Sequence, residues 1–253
     1  ISTLITQRHP TAPRRNQSVN WDNLVKIHID TSNSNQIRAK PKPKLPSFYL
    51  INARSLLPKM DELSLLLNMH PLEVVAITES WLTNEIIDEL VLIDGYNTFR
   101  KDRMHGRGGG VCAFVSADIP CKRRQDLEDP SFECMWVWLR PVRLPRKISG
   151  LICAILYNPP DTPISEQKDL VKYMVDKLDV IRTTHPDCGI VLLGDFNRLD
   201  ISDLLIHQNV KQIVQTPTRG EHVLDFIVTN LHELYNEPSI IAPLGTSDHN
   251  VVK

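Results

Sequence analysis

The sequence holds no stretch approaching the roughly 18 consecutive apolar residues of a membrane helix, and its first residues carry no signal-peptide core. Neither a spanning segment nor a membrane partner is expected. Charge of one sign is not in excess either: 29 Lys and Arg stand against 30 Asp and Glu, a formal net charge of -1. That balance excludes a chain held open by self-repulsion, but it neither demands nor forbids a nucleic-acid partner, because a local basic face can be cancelled elsewhere. The five cysteines (Cys112, Cys121, Cys134, Cys153, Cys188) form no CxxC pair and have no His at zinc-ligand spacing. They read as reduced core thiols of an intracellular protein, nuclear or cytoplasmic. No repeat of fixed period is visible. A Ser/His/Asp or Cys/His nucleophile motif is also missing, so a covalent intermediate is not expected.

What is present suffices for one large core. The 253 residues are 42% hydrophobic, and the hydrophobic residues are unevenly spread. Residues 1–45 carry Pro10, Pro13, Arg14, Arg15 and the KPKPK run from Lys40 to Lys44, with no sustained period. This reads as a flexible basic leader. Residues 46–253 then form a single domain. The first residue is Ile1 rather than Met, which leads us to expect a fragment of a longer chain.

Along that domain, apolar runs end repeatedly in polar residues. SFYLIN ends at Asn52, EVVAITES at Thr78, Glu79 and Ser80, and ISGLICAILYN at Tyr157 and Asn158 before Pro159 and Pro160. Central among them is GIVLLGDFN (Gly189 to Asn197), in which four apolar residues precede Gly194 and Asp195. Such a run reads as a strand buried on both faces. Asp195 and Asn197 are two apart, so on a continuing strand they share a side while Phe196 points into the packing. The same residues also suit a turn. Helices are predicted after Pro58, from the stripe Leu63, Leu66 and Leu67, and over residues 163–184, with a short one at 202–207. Further strands are predicted over VCAFVS, ECMWVWLR, Val210 to Val214 and VLDFIVTN, with Asp225 inside the last. Many strands with two substantial helices predict an α+β chain in which two sheets pack face to face with helices outside.

Clustered carboxylates beside an amide and a His are what a hard divalent cation recruits. The candidates are Asn52, Glu79, Tyr157, Asp195, Asn197, Asp225 and the pair Asp248 and His249. A loop from Arg100 to Gly110, RKDRMHGRGGG, adds basic side chains and glycines. It reads either as a phosphate-contacting lip or as a solvated hairpin. With Arg54, the residues Arg100, Arg103 and Arg107 are the candidate nucleic-acid contacts.

In this order, LINARS, AITESWL, ILYNPP, LLGDFN, LDFIVTN and SDHN resemble the endonuclease/exonuclease/phosphatase superfamily, which includes deoxyribonuclease I and apurinic-site endonucleases. The tryptophan after Glu79 and Ser80, the run GRGGGV and the turn TPTR resemble more narrowly the endonuclease domain of non-LTR (LINE-type) retrotransposons. The resemblance implies a deoxyribonuclease-I-like four-layer α/β sandwich of two packed, mostly antiparallel sheets flanked by helices. It implies Mg²⁺, with Mn²⁺ as the alternative, held by Glu79, Asn52 and Asp248. It implies that Asp195 activates water, Asn197 steadies the reacting group, Tyr157 donates to the phosphate or leaving oxygen, and His249 donates to the phosphate with Asp225 fixing its tautomer. The partner implied is DNA, with a reverse-transcriptase domain beyond Lys253. The activity implied is nicking that leaves a 3′-hydroxyl primer. Two alternatives are a phosphomonoesterase or phospholipid phosphodiesterase of the same superfamily and a decayed copy that binds nucleic acid without cutting. Only Asn250 to Lys253 follow the SDH motif, so an incomplete last strand is expected.

Overall fold

The computed structural model describes residues 44–70, 72–104 and 106–253. The basic leader therefore lies outside the described residues, except for Lys44 and Leu45.

In chain order the first strands are β1 (Phe48–Asn52), β2 (Val74–Thr78), β3 (Tyr96–Lys101), β4 (Val111–Ser116), β5 (Cys121–Arg123) and β6 (Glu133–Leu139). After them come β7 (Gly150–Tyr157), β8 (Cys188–Asp195), β9 (Lys211–Gln212), β10 (Asp225–Thr229), β11 (Ile240–Ile241) and β12 (Val251–Val252). The helices are α1 (Met60–Met69), α2 (Ile164–Thr184) and α3 (Ser202–Gln208). The strands form two six-stranded sheets, in the orders β11-β12-β1-β2-β4-β3 and β5-β6-β7-β8-β10-β9. Each sheet has one parallel pair, β1 with β2 and β7 with β8, among antiparallel neighbours.

Period-two alternation explains how almost continuous apolar strands fill three cores. Leu50, Ala76, Val137, Ile155, Val191 and Leu193 pack between the sheets. Their chain neighbours Tyr49, Ile51, Val75 and Ile77 face the other way, onto Leu63 and Leu67 of α1. In the second sheet Trp136, Ile152, Ile190 and Leu192 pack on Leu170, Met174 and Leu178 of α2 and on Leu204 of α3. The layers thus run helix, sheet, sheet, helix, as the resemblance implied. None of the described helices is long and apolar enough to cross a membrane.

Two local expectations shift. The strand expected from Val210 to Val214 is only Lys211–Gln212. Val210 belongs to the helix-side core and Val214 to the core between the sheets, so the segment crosses from one to the other instead of extending. Asp225 is the first residue of β10, not interior to it.

Gly194 shows why GDFN begins with glycine: a Cβ there would overlap the Leu156 carbonyl of the neighbouring parallel strand, with the Leu156 nitrogen at 2.9 Å. Gly194→Ala is expected to cost about 3 kcal/mol or more in urea unfolding. Gly95→Ala, with φ +81 but nothing within 4 Å, should cost about 1–2 kcal/mol. A loss at Gly194 no larger than that at Gly95 would show that the close strand approach does not dictate the glycine.

Candidate active site

Strand polarity brings the polar ends together. The parallel register places Asn52 opposite Thr78, the residue before Glu79, and Tyr157 opposite Asp195. β10 runs back from the same edge, with Asp225 opposite Asp195. β12 pairs with β1 through Val252 and Leu50, which returns His249 to that edge. Asn52, Asp195, Asn197, Asp225 and His249 are all buried.

Sharp turns then aim the side chains. Five of the eight described non-glycine residues with left-handed backbone, Arg54, Ser55, Glu79, Trp81 and Asn197, lie in the loops leaving β1, β2 and β8. Unfavourable backbone is thus concentrated at one edge, where neighbouring segments over-determine it. Neighbouring loops hold the Glu79 turn: Ser55 N donates to Glu79 O, Ser80 N to Gly110 O and Trp81 N to Gly109 O. At Asn197 (φ 48) the strand does not continue, contrary to the same-side expectation. Its backbone N–H instead turns back to Asp195 Oδ1 at 3.0 Å, while its side chain donates to Asn158 O at 2.8 Å.

The polar groups form one connected set. Asn52 Nδ2 donates to Asp195 Oδ2 at 2.8 Å and to Glu79 Oε1 at 3.1 Å. Trp81 Nε1 donates to the other Glu79 oxygen at 3.1 Å. Asp225 Oδ2 lies 2.8 Å from His249 Nδ1, and His249 Nε2 lies 3.9 Å from Asp195 Oδ2. With Asp225 ionised, Nδ1 is the donor. Tyr157 lies beneath the Arg103 guanidinium, 5.6 Å from its ring centroid.

Burial dominates the electrostatics. Desolvation, reinforced by the Asp225 charge, pushes the Asp195 carboxyl up to about 7 against the pull of His249, Asn197 and Asn52. Burial alone would lower His249, but the hydrogen bond to Asp225 and the charges of Asp225 and Asp195 outweigh it and hold the imidazole above its ordinary value. Desolvation and the charges of Glu79 and Asp195 raise the Tyr157 phenol, which keeps its proton.

The donors fit a hard divalent cation. Asp195, Asp225 and His249 each bring one ligand atom within 4.8 Å of the others, and Asp225 Oδ1 is buried without a partner. The Asp225–His249 hydrogen bond engages Nδ1, which leaves His249 Nε2 and the carboxylate oxygens, with those of Glu79 and Asn52 nearby, and a hard ion takes the oxygens first. Asp248, expected among the metal ligands, stands differently. Its oxygens face Arg54 Nη1 at 3.3 Å and Arg219 Nη2.

The basic loop is mostly turned inward. Arg100 reaches Asp102, Asp88 and the carbonyls of Ile86 and Thr83, with its side chain 13% exposed. Arg103 is paired with Glu133, whose second oxygen accepts the Gly110 N–H. Arg107 is exposed and lies over Trp81, 5.7 Å from its ring centroid. The glycines serve this packing: a Cβ at Gly109 would overlap the Arg103 guanidinium, and one at Gly110 would meet Ser80 Oγ at 2.7 Å. Three contributors had no role at the level of sequence. Trp81 followed a carboxylate by two residues, a visible cue, whereas Glu133 and Arg219 carried no local signal.

The chain belongs to the endonuclease/exonuclease/phosphatase family, whose profile matches residues 47–249. Among solved structures it is similar to the AP endonuclease LMAP from Leishmania major, with TM-score 0.63 and 14% identity over 81% of this chain and 85% of that one. The endonuclease domain of TRAS1, a telomere-specific non-LTR retrotransposon, superposes with TM-score 0.60 and 16% identity over 82% and 96%. A 3′ phosphatase, NExo from Neisseria, bound to a product DNA hairpin, gives 0.56 and 14% over 82% and 98%. No curated protein matches the sequence.

Both raised groups act on stability in the same sense. Asp195 keeps its proton in the folded chain above the unfolded value of 3.8, so its contribution is full at low pH and falls as pH rises through the folded value of about 7. His249, also raised, contributes below its unfolded value of 6.5 and loses that contribution as pH rises through its folded one. In EDTA the unfolding midpoint is therefore expected to fall between about pH 5 and about pH 8. Asp195→Asn should flatten this fall and raise the midpoint at the alkaline end. A parent midpoint that climbs over the same range would contradict a desolvated carboxylate.

Proposed function

We propose that this chain is a divalent-metal-dependent endonuclease that nicks one DNA strand and leaves a 3′-hydroxyl for reverse transcription. The observation that carries the reading is the Asn52 amide bridging Glu79 and Asp195 while His249, oriented by Asp225, faces the same Asp195. This is a water-activating carboxylate and a phosphate-directed donor at one strand edge. The family membership and the likeness to the TRAS1 endonuclease domain support the nuclease class.

Glu79 and Asn52, with oxygens of Asp195 or Asp225, would hold Mg²⁺ or Mn²⁺, which when bound offsets charge on the non-bridging phosphate oxygens. Asp195 takes the proton of the attacking water. Its lone pairs are fixed by Asn52 and by the Asn197 N–H. His249 presents Nε2 toward the phosphate because Asp225 holds Nδ1. Tyr157 keeps its proton and can donate it toward the leaving oxygen. Asn197 positions this machinery by tying the turn after β8 to Asn158. In this reading Arg107 contacts DNA, while Arg100 and Arg103 brace the loop. A reverse-transcriptase domain in the same polypeptide, after Lys253, completes the reading. Sequencing the transcript past that residue tests it.

With Mg²⁺ the protein should convert supercoiled plasmid to nicked circles, and EDTA should abolish the conversion. Asp195→Asn should lower turnover by about 10²–10⁴-fold while DNA affinity changes little. Release of phosphate from inositol phosphates or 3′-phosphate ends without nicking would reverse the ranking, and tight DNA binding with no product would point to a decayed copy.

Glu79→Gln should raise the Mg²⁺ concentration needed for half-maximal rate. Trp81→Phe, which keeps the ring but loses the N–H to Glu79, should do so more mildly, with DNA affinity held. An unchanged Mg²⁺ requirement in both would remove Glu79 from the cation.

A further inference from the structure

Asp248 is gripped by two arginines that arrive from different parts of the chain. Arg54 follows β1, and Arg219 sits in the TPTR turn before β10. Both are presented by anchored backbone. The buried Lys59 ammonium donates to the carbonyls of Ala53 and Arg54, fixing the left-handed turn at Arg54 (φ 42). Ser247 Oγ donates to Asn52 O at 2.7 Å, and Asn250 N donates to Thr218 O at 2.8 Å. Thr218 Oγ1 in turn accepts the backbone N–H groups of Leu224 and Asp225. The segment carrying Asp248 and His249, the turn carrying Arg219 and the start of β10 are thus one hydrogen-bonded unit.

As a stabilising device the trio is weak, because ion pairs this open contribute little. The side chains are 52% exposed at Arg54, 45% at Arg219 and 35% at Asp248. As an anion seat it is well formed. Two positive charges meet one negative charge, and Asp248 faces one nitrogen of each guanidinium, leaving most of the five N–H donors on each for another acceptor. The seat adjoins the reacting groups by short chain links: Arg54 is two residues from Asn52, and Asp248 is next to His249.

We infer that Arg54 and Arg219, spaced by Asp248, bind a DNA backbone phosphate beside the one that is cut. The inference rests on the DNA-cutting reading and names a contact for it on the His249 side of the site. Asp248 then serves to preset the guanidiniums, not to hold the cation.

The test is equilibrium binding of a fluorescent duplex oligonucleotide to the full chain in EDTA, where no turnover occurs, across a series of salt concentrations. Arg54→Ala and Arg219→Ala should each weaken binding and make the slope of log K against log salt shallower by about 0.9. Arg219→Lys keeps the charge and should keep the slope. Arg146→Ala should leave affinity and slope at parental values, because this exposed residue precedes β7 while the site lies at the far end of that strand. If the Arg54 and Arg219 variants match Arg146→Ala, the seat is refuted and the DNA reading stands. A parent that shows no salt-sensitive binding to duplex DNA sinks that reading as well.

Discussion

The site depends on one amide. Asn52 ends a strand of the first sheet, and its side-chain NH₂ donates both to Glu79 of that sheet and to Asp195 of the second. Between them the two sheets meet mainly through apolar contacts, and the polar links from β3 and its loop, Lys101 to Cys134 O, Arg123 to Arg100 O and Arg103 to Glu133, join their other edges and leave the placement of the site carboxylates to this amide. A neutral double donor satisfies this geometry without adding charge: it feeds both acceptors and leaves each carboxylate with unused lone pairs. A lysine in that position would neutralise the pair that a cation is meant to find.

That arrangement is costly to fold and informative for the same reason. Asp195, Asp225 and His249 are nearly inaccessible to water, and burial dominates the shift of Asp195. Burying like charges beside each other destabilises the apo chain unless a proton or a cation is shared among them. The His249 ring supplies the first remedy, since both carboxylates favour its charged form. Left-handed backbone at Arg54, Glu79 and Asn197 adds local strain at the same edge. Strain and desolvation are tolerated here because the rest of the molecule offers three continuous apolar cores.

Much of this was legible before any coordinates. Apolar runs that stop at Asn52, Glu79, Tyr157 and Asp195 betray strands whose ends gather polar groups at one edge, because a run of four apolar residues is a local pattern with a direct meaning in burial. The layer order followed from the count of strands against helices together with the family resemblance. Turn geometry was less legible. The choice between a continuing strand and a turn at Asn197 stays open in the sequence because period two cannot report where φ turns positive, and the apolar pattern over Val210 to Val214 overstates β9 because the two valines serve different cores. The glycines before β4 suggest, in sequence, room for a partner from outside, whereas they let the loop close on Trp81, Ser80 and Arg103. Contacts between distant segments, such as Arg219 with Asp248, leave no trace in local spacing.

Overall charge was the least informative quantity, and the structure explains why. Most arginines of the β3 to β6 region are cancelled in place: Arg100 by Asp102 and Asp88, Arg103 by Glu133, Arg123 by Glu128 and Arg124 by Asp126. Counting them toward a basic face overstates what a polyanion meets. The cations whose neutralisation is incomplete or whose guanidinium faces water include, near the site, Arg107 on Trp81, the exposed Arg198 beside Asn197 and the pair around Asp248. A chain with net charge of -1 therefore still presents local positive potential beside an acidic site, because attraction over a few ångströms is set by the nearest uncancelled charges.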